Sequence, residues 1–248
     1  MRLLVLNCNT SLAMTQAIGA AAQAVAGPGT TIVAARPAWG PDTVEGFYES
    51  YISAAAGLDY LTGLAGGFDA VILAGFGEYG REGARQLLDV PVVDITEAAV
   101  MAALLLGRKY GVVTTPAGAI GQIEDSLLTA GLDRRCAGVV AGDLPMADQG
   151  AGPELLAAAV AGLAQDLLDA GADVIVLGCA GFSDLVQPVA AKLGVPVIDG
   201  VAAAVTLAEG LVRLGQTTSK VGAYAPPAAG KARPGWPVSA GWGEGASR

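Results

Sequence analysis

Histidine is missing from the chain altogether. That removes the imidazole from each role it commonly fills: the base of a hydrolytic triad, the usual nitrogen ligand of zinc, and the proton shuttle of neutral pH. Acid/base chemistry must fall to cysteine, carboxylates, lysine or tyrosine. Cysteine is scarce too. Cys8, Cys136 and Cys179 stand far apart, without CxxC or metal-ligand spacing, and so read as free thiols rather than a disulfide framework or a zinc site. Charge is thin: 15% of residues are charged, the net value is −9, and no Lys/Arg run is present to neutralise a phosphate backbone. These absences argue against a nucleic-acid partner and for a small-molecule substrate.

Long apolar runs are lacking as well. Hydrophobic residues make up 53% of the 248 positions, yet no uninterrupted stretch reaches the roughly 18 to 20 residues of a membrane span. The excess is Ala and Val in short pieces cut by Gly, which predicts a core-rich protein without a membrane partner. Leu3-Leu4-Val5-Leu6 meets polar Asn7 after four residues. That is too short for a signal-peptide core, so it reads as a first strand, and a cytoplasmic location is expected. Gly75-Phe76-Gly77 falls short of the dinucleotide fingerprint and no Walker loop occurs, so no cofactor is expected.

What is present is a regular alternation. Strand-like runs occur at Leu3 to Leu6, Thr31 to Ala34, Ala70 to Ala74, Val90 to Val93, Tyr110 to Val113, Ala137 to Val140, Val174 to Leu177 and Val195 to Ile198. Ala- and Leu-rich stretches of helical spacing lie between them. The pattern predicts α/β architecture with parallel sheets buried on both faces. Thr10-Ser11 marks a helix start near Leu12, and Ala170-Gly171-Ala172 ends a helix begun near Pro153.

The chain also repeats itself. Asp69-Ala70-Val71-Ile72-Leu73-Ala74-Gly75 aligns without a gap on Asp173-Val174-Ile175-Val176-Leu177-Gly178-Cys179. Val90-Pro91-Val92-Val93-Asp94 then matches Val195-Pro196-Val197-Ile198-Asp199, and Leu4-Val5-Leu6-Asn7 corresponds to Gly111-Val112-Val113-Thr114. Two pseudo-symmetric lobes follow. The first is expected over residues 1–98 plus 206–224, the second over 99–205, with an irregular tail over 225–248 that reaches over the body or toward a neighbour in a homo-oligomer.

Parallel sheets place ligands outside the carboxyl ends of their strands. Those ends carry Asn7, Asn9 and Thr10, then Gly75, Phe76 and Gly77, then Thr114 and Thr115, and finally Cys179, Ala180 and Gly181. Cys179 follows a buried strand and precedes a helix, where helix-terminal amides lower a thiol pKa. Its plainer reading is an inert buried cysteine. The Asn and Thr side chains and the N–H groups after Gly75 and Cys179 are expected to stabilise charge on a substrate carbonyl, or else to cap turns.

Asn7-Cys8-Asn9-Thr10-Ser11, Val44-Glu45-Gly46, Ala74-Gly75-Phe76-Gly77-Glu78, Val112-Val113-Thr114-Thr115 and Gly178-Cys179-Ala180-Gly181 together resemble the aspartate/glutamate/hydantoin racemase superfamily, nearest its hydantoin and allantoin racemases. The resemblance runs from the first strand to about Tyr224. It implies two α/β lobes with the site between them, and a cofactor-independent isomerase acting at a carbon alpha to a carbonyl, on a hydantoin or amino-acid derivative. It further implies two cysteines on opposite faces of that carbon. Cys179 matches the second. The first should stand where the chain has Gly75.

Several readings of that departure stay open. One is a decarboxylase of the arylmalonate type using a single cysteine. A second is a substitute acid/base group, Cys8 or Glu78, although packing is the plainer role for Cys8 and a helix start for Glu78. A third is an introduced Cys-to-Gly substitution or loss of racemase activity. A non-catalytic small-molecule binding protein would also have two lobes and a cleft.

Overall fold

The computed structural model describes residues 1–64, 66–142 and 152–228; the expected tail therefore lies, from residue 229 on, outside the described residues. Residues Arg2–Asn7 (β1), Thr31–Ala35 (β2), Ala70–Ala74 (β3) and Val92–Asp94 (β4) form a parallel sheet in the order β2-β1-β3-β4. Helices Leu12–Val25 (α1), Phe47–Thr62 (α2), Arg81–Leu87 (α3) and Ile95–Leu106 (α4) alternate with them. The second half repeats the plan: strands Tyr110–Thr114 (β5), Cys136–Ala141 (β6), Val174–Leu177 (β7) and Val197–Asp199 (β8) pair in the order β6-β5-β7-β8. Their helices are Ile120–Thr129 (α5), Pro153–Asp169 (α6), Val186–Leu193 (α7) and Gly200–Arg213 (α8).

The central strands β1, β3, β5 and β7 are apolar on both faces because helices cover both. β4 and β8 each begin two residues later than the apolar run suggests. Pro91 and Pro196 have no N–H to give, and each contributes only a carbonyl, to Val71 N at 2.9 Å and to Ile175 N at 3.0 Å. Ser11 caps α1 as expected, accepting from Met14 N.

The repeat extends to single hydrogen bonds. Asp69 accepts from Arg2 N at 2.6 Å, and its counterpart Asp173 accepts from Arg108 N and Lys109 N at 2.8 and 3.0 Å. Asp94 caps α4 through Thr96 N and Glu97 N, and Asp199 caps α8 through Ala202 N. The last helix of each repeat then crosses over: α8 packs on α1 and β3 of the first sheet, α4 reaches β7 and β8 of the second, and the two pack on each other. Divisions at residues 98 and 205 fall inside these two helices.

Candidate active site

An order of β2-β1-β3-β4 puts the topological switch point between β1 and β3, and β6-β5-β7-β8 puts it between β5 and β7. Ligand crevices form outside the carboxyl ends at such points. Here the two switch points face one another across a single cavity of about 90 Å³. It is lined by Asn7, Cys8 and Asn9 after β1, Ala74, Gly75 and Phe76 after β3, Thr114 and Thr115 after β5, and Gly178, Cys179 and Ala180 after β7. Met14, Ile18, Val44, Tyr79 and Ala119 complete the wall. Among the described residues no Lys or Arg lines it, nor any carboxylate. A larger apolar groove, about 630 Å³, runs between α1, α4, α8 and β8, but it carries no thiol and shares no lining residue with the first cavity.

Cys179 is partly exposed to the cavity. The Gly181 N–H and the Thr115 hydroxyl hydrogen-bond its sulfur and pull its pKa down, but burial outweighs them and leaves the thiol above its ordinary range. This corrects the expectation of a thiol activated by helix-terminal amides. The following segment, Ala180–Leu185, is only a short run of 3-10 turns, too little dipole to offset desolvation.

Gly75 stands across the cavity in a backbone conformation open to any residue, since it is not among the glycines of positive φ. Space is what keeps it glycine. A Cβ there would lie 2.4 Å from Cδ2 of Tyr79 and 2.7 Å from Cβ of Cys8. A cysteine at this position, where the resemblance implies the first of the pair, has no room while Tyr79 and Cys8 hold their places.

The Asp/Glu/Hydantoin racemase family model matches residues 3–208. The chain belongs to this family. A hydantoin racemase of Pseudomonas sp. (strain NS671) is 36% identical over 229 residues, spanning 90% of this chain and 91% of that protein. The crystal structure of allantoin racemase from Pseudomonas fluorescens superposes with a TM-score of 0.89 at 46% identity, covering 94% of this chain and 100% of that one. Unliganded arylmalonate decarboxylase shares the fold, with a TM-score of 0.56 at 17% identity over 95% of this chain.

Within this racemase-family cavity, polar residues singled out from sequence divide into two groups. Asn7 is buried, and its Nδ2 donates to Asn9 Oδ1 at 2.8 Å, to Thr15 Oγ1 at 3.0 Å and to Ser11 O at 3.4 Å, so its amide holds the β1–α1 loop. The Thr114 hydroxyl is likewise committed, to Gly178 O at 2.8 Å, and ties β5 to β7. Asn9 Oδ1 accepts from Ser11 N as well as from Asn7, which leaves Asn9 Nδ2 as a donor toward the cavity. Thr115 touches Cys179, and Phe76 and Ala180 lie on the wall.

Thr10, Gly77 and Gly181 are not on the cavity wall. Thr10 binds Pro41 O through both its N–H and its hydroxyl. Gly77, at φ +133°, gives its N–H to Thr96 at 2.7 Å and its carbonyl accepts from Ser126 at 2.9 Å. That N–H is therefore spent on the fold and cannot serve a substrate. Gly181 stands behind the Cys179 sulfur.

Tyr79, Met14, Ile18 and Ala119 escaped sequence reasoning. Tyr79 could have been suspected from its place four residues after Gly75, in a turn bounded by Gly77 and Gly80. Its hydroxyl bonds Ser50, and burial raises its pKa above the ordinary phenol range, so the ring is a neutral wall. Glu78 takes the plainer of its two expected roles: its Oε1 accepts from Gly80 N and Arg81 N at 2.7 and 2.8 Å and opens α3.

Proposed function

We propose that the chain racemises small neutral ring ureides of the hydantoin and allantoin type, with Cys179 moving the proton at the ring carbon beside the carbonyl. The observation that carries this reading is the cavity lining: a thiol at a strand end, amide and hydroxyl groups, apolar wall, and, among the described residues, no charged side chain. A free amino acid or a malonate would bring carboxylates into a space without a cation to receive them, at a desolvation cost of several kcal/mol per ion. A hydantoin ring is uncharged and compact. The volume of about 90 Å³, below the ~300 Å³ at which ligand pockets commonly begin, also favours a small ring over an aryl substrate. Asn9 Nδ2 is the donor that would meet a carbonyl oxygen of the ring, since the Thr115 hydroxyl already donates to the Cys179 sulfur.

The test uses separate enantiomers of allantoin and of 5-substituted hydantoins in deuterated water, followed by polarimetry and by proton NMR at the ring carbon. Optical rotation should decay, with deuterium entering that carbon, faster than in buffer alone. Carbon dioxide release from disubstituted malonates, without racemisation of any hydantoin, would establish the decarboxylase reading instead. Binding without exchange would establish a binding protein.

Among the described residues no group of three or more His, Cys, Asp or Glu stands close enough to hold a metal, and no helix is long and apolar enough to cross a membrane. Racemisation is expected to survive prolonged chelation unchanged; loss on chelation with recovery on adding one metal would overturn a metal-free mechanism. Exposed Met101, Leu105 and Leu106 on α4 support self-association, which sedimentation analysis would test.

A further inference from the structure

Inverting a stereocentre by direct proton transfer needs a base on one face of the carbon and an acid on the other. Cys179 supplies one of them, and glycine at position 75 has no side chain to supply the second. We propose that Cys8, at the end of β1, is the acid/base residue facing Cys179 across the substrate. This inference rests on the racemisation proposed above.

The argument begins with space. A Cβ built on Gly75 would fall 2.7 Å from Cβ of Cys8, so the side chain of Cys8 already starts where a side chain on residue 75 would start. Tyr79 closes the remaining volume, its Cδ2 only 2.4 Å from that Cβ position. Gly75, Cys8 and Tyr79 are thus one packing unit, in which the thiol comes from β1 and an aromatic ring fills the room behind it.

The internal repeat gives the same answer independently. Cys8 follows Asn7 as Thr115 follows Thr114, and Gly75 corresponds to Cys179. In the second lobe the Thr115 hydroxyl touches the Cys179 sulfur, so the residue after the first strand of a lobe reaches the residue after its third. The first lobe keeps these two neighbouring positions but carries its thiol on the other one.

Both thiols line the cavity and both are partly exposed. They also sense each other. Burial and then the neighbouring Cys179 push the Cys8 thiol up to about 12, against the pull of its own backbone N–H. Ionising one thiol therefore keeps the other protonated, which is the division of labour that two-sided transfer requires. Glu78 is not available for the part, because Gly80 N, Arg81 N and the Arg81 guanidinium occupy its carboxylate.

The step balances without an outside reactant. The Cys179 thiolate removes the ring proton, the C–H electron pair passes into the adjacent carbonyl, and the Cys8 S–H delivers its proton to the opposite face. Cys179 ends as the thiol and Cys8 as the thiolate, ready to process the other enantiomer.

The experiment compares the parent with Cys8→Ala and Cys179→Ala on each enantiomer of a 5-substituted hydantoin in deuterated water. Each variant should lose racemisation by about 100-fold or more. Each should keep deuterium exchange with one enantiomer only, and opposite enantiomers for the two variants, a split that a packing role for Cys8 would not produce. If the parent racemises and Cys8→Ala does so within about threefold, the Cys8 assignment fails and the function stands. If the parent racemises no hydantoin, the function fails and the role of Cys8 falls with it. A second measurement treats the folded parent with 1,3-dibromoacetone and maps the products by peptide mass spectrometry. A three-carbon bridge between Cys8 and Cys179 is expected. Separate alkylation of both thiols without any bridge would overturn the facing geometry whatever the activity.

Discussion

At the residue scale the proposed pair of thiols predicts a definite pH behaviour. Burial raises both Cys8 and Cys179 above the ordinary thiol range, so the thiolate that removes the proton is a minority species at neutral pH and grows as pH rises. The acid partner stays protonated until about 12, the value to which Cys8 is pushed. Activity, measured as kcat/KM for a hydantoin, should climb about tenfold per pH unit from 6 to 8 and still be rising at 9. A plateau already reached at pH 7 would contradict it. The same shift bears on stability: the fold favours the protonated Cys8, so its contribution is complete below the ordinary thiol pKa and fades as pH rises toward the raised one. Gly75 belongs to this scale as well. Placing a methyl group 2.4 Å from the Tyr79 ring should cost Gly75→Ala about 1–3 kcal/mol by urea denaturation. Combining it with Tyr79→Leu should recover part of that loss, since the two residues contend for one space; strict additivity would show that they do not. The register of Gly75 against Cys179 was legible in the repeat. What fills the space beside it was not, because Tyr79 and Cys8 reach it from a turn and from another strand.

At the element scale the aspartates at the start of α4 and α8 look equivalent in sequence but sit in different surroundings. Asp199 caps α8 through Ala202 N, and Asp94 caps α4 while also facing the fully buried Arg81 at 3.6 Å. Arg81 is held by Glu78, Glu82 and Glu97 besides. Asp199→Ala should cost about 1 kcal/mol, the value of a lost helix cap. Asp94→Ala should cost up to about 3 kcal/mol, because the buried guanidinium also loses a counter-charge. Equal losses in urea denaturation would show that the ion cluster adds nothing. Strand positions and the cap of α1 could be read directly, since apolar runs and capping side chains act locally. The late starts of β4 and β8 were legible only in part: proline ends the N–H ladder, but its carbonyl still joins it.

At the scale of the whole molecule the repeat does more than duplicate a lobe. We propose that α8 folds with the first sheet: it packs on β3 and α1, and Glu209 reaches back to accept from Gly27 N at 2.9 Å and from the Thr30 hydroxyl. Hydrogen exchange should then protect α8 in step with β1 and β3, and Glu209→Ala should loosen α8 and the 27–30 loop together while leaving β5 and β7 unchanged. Exchange of α8 in step with β5 and β7 would assign it to the second lobe. The sequence alone determined the α/β class, the two-fold plan and the strand ends that line the cavity, that of Cys179 among them, because each is written in local periodicity or in a gapless internal match. Only the tertiary structure decided which polar groups remain for a substrate, that Cys179 is raised rather than lowered, and that Cys8 stands where the side chain of residue 75 would be. Those outcomes depend on desolvation and on contacts between atoms brought together from four strands, and no single stretch of chain contains them.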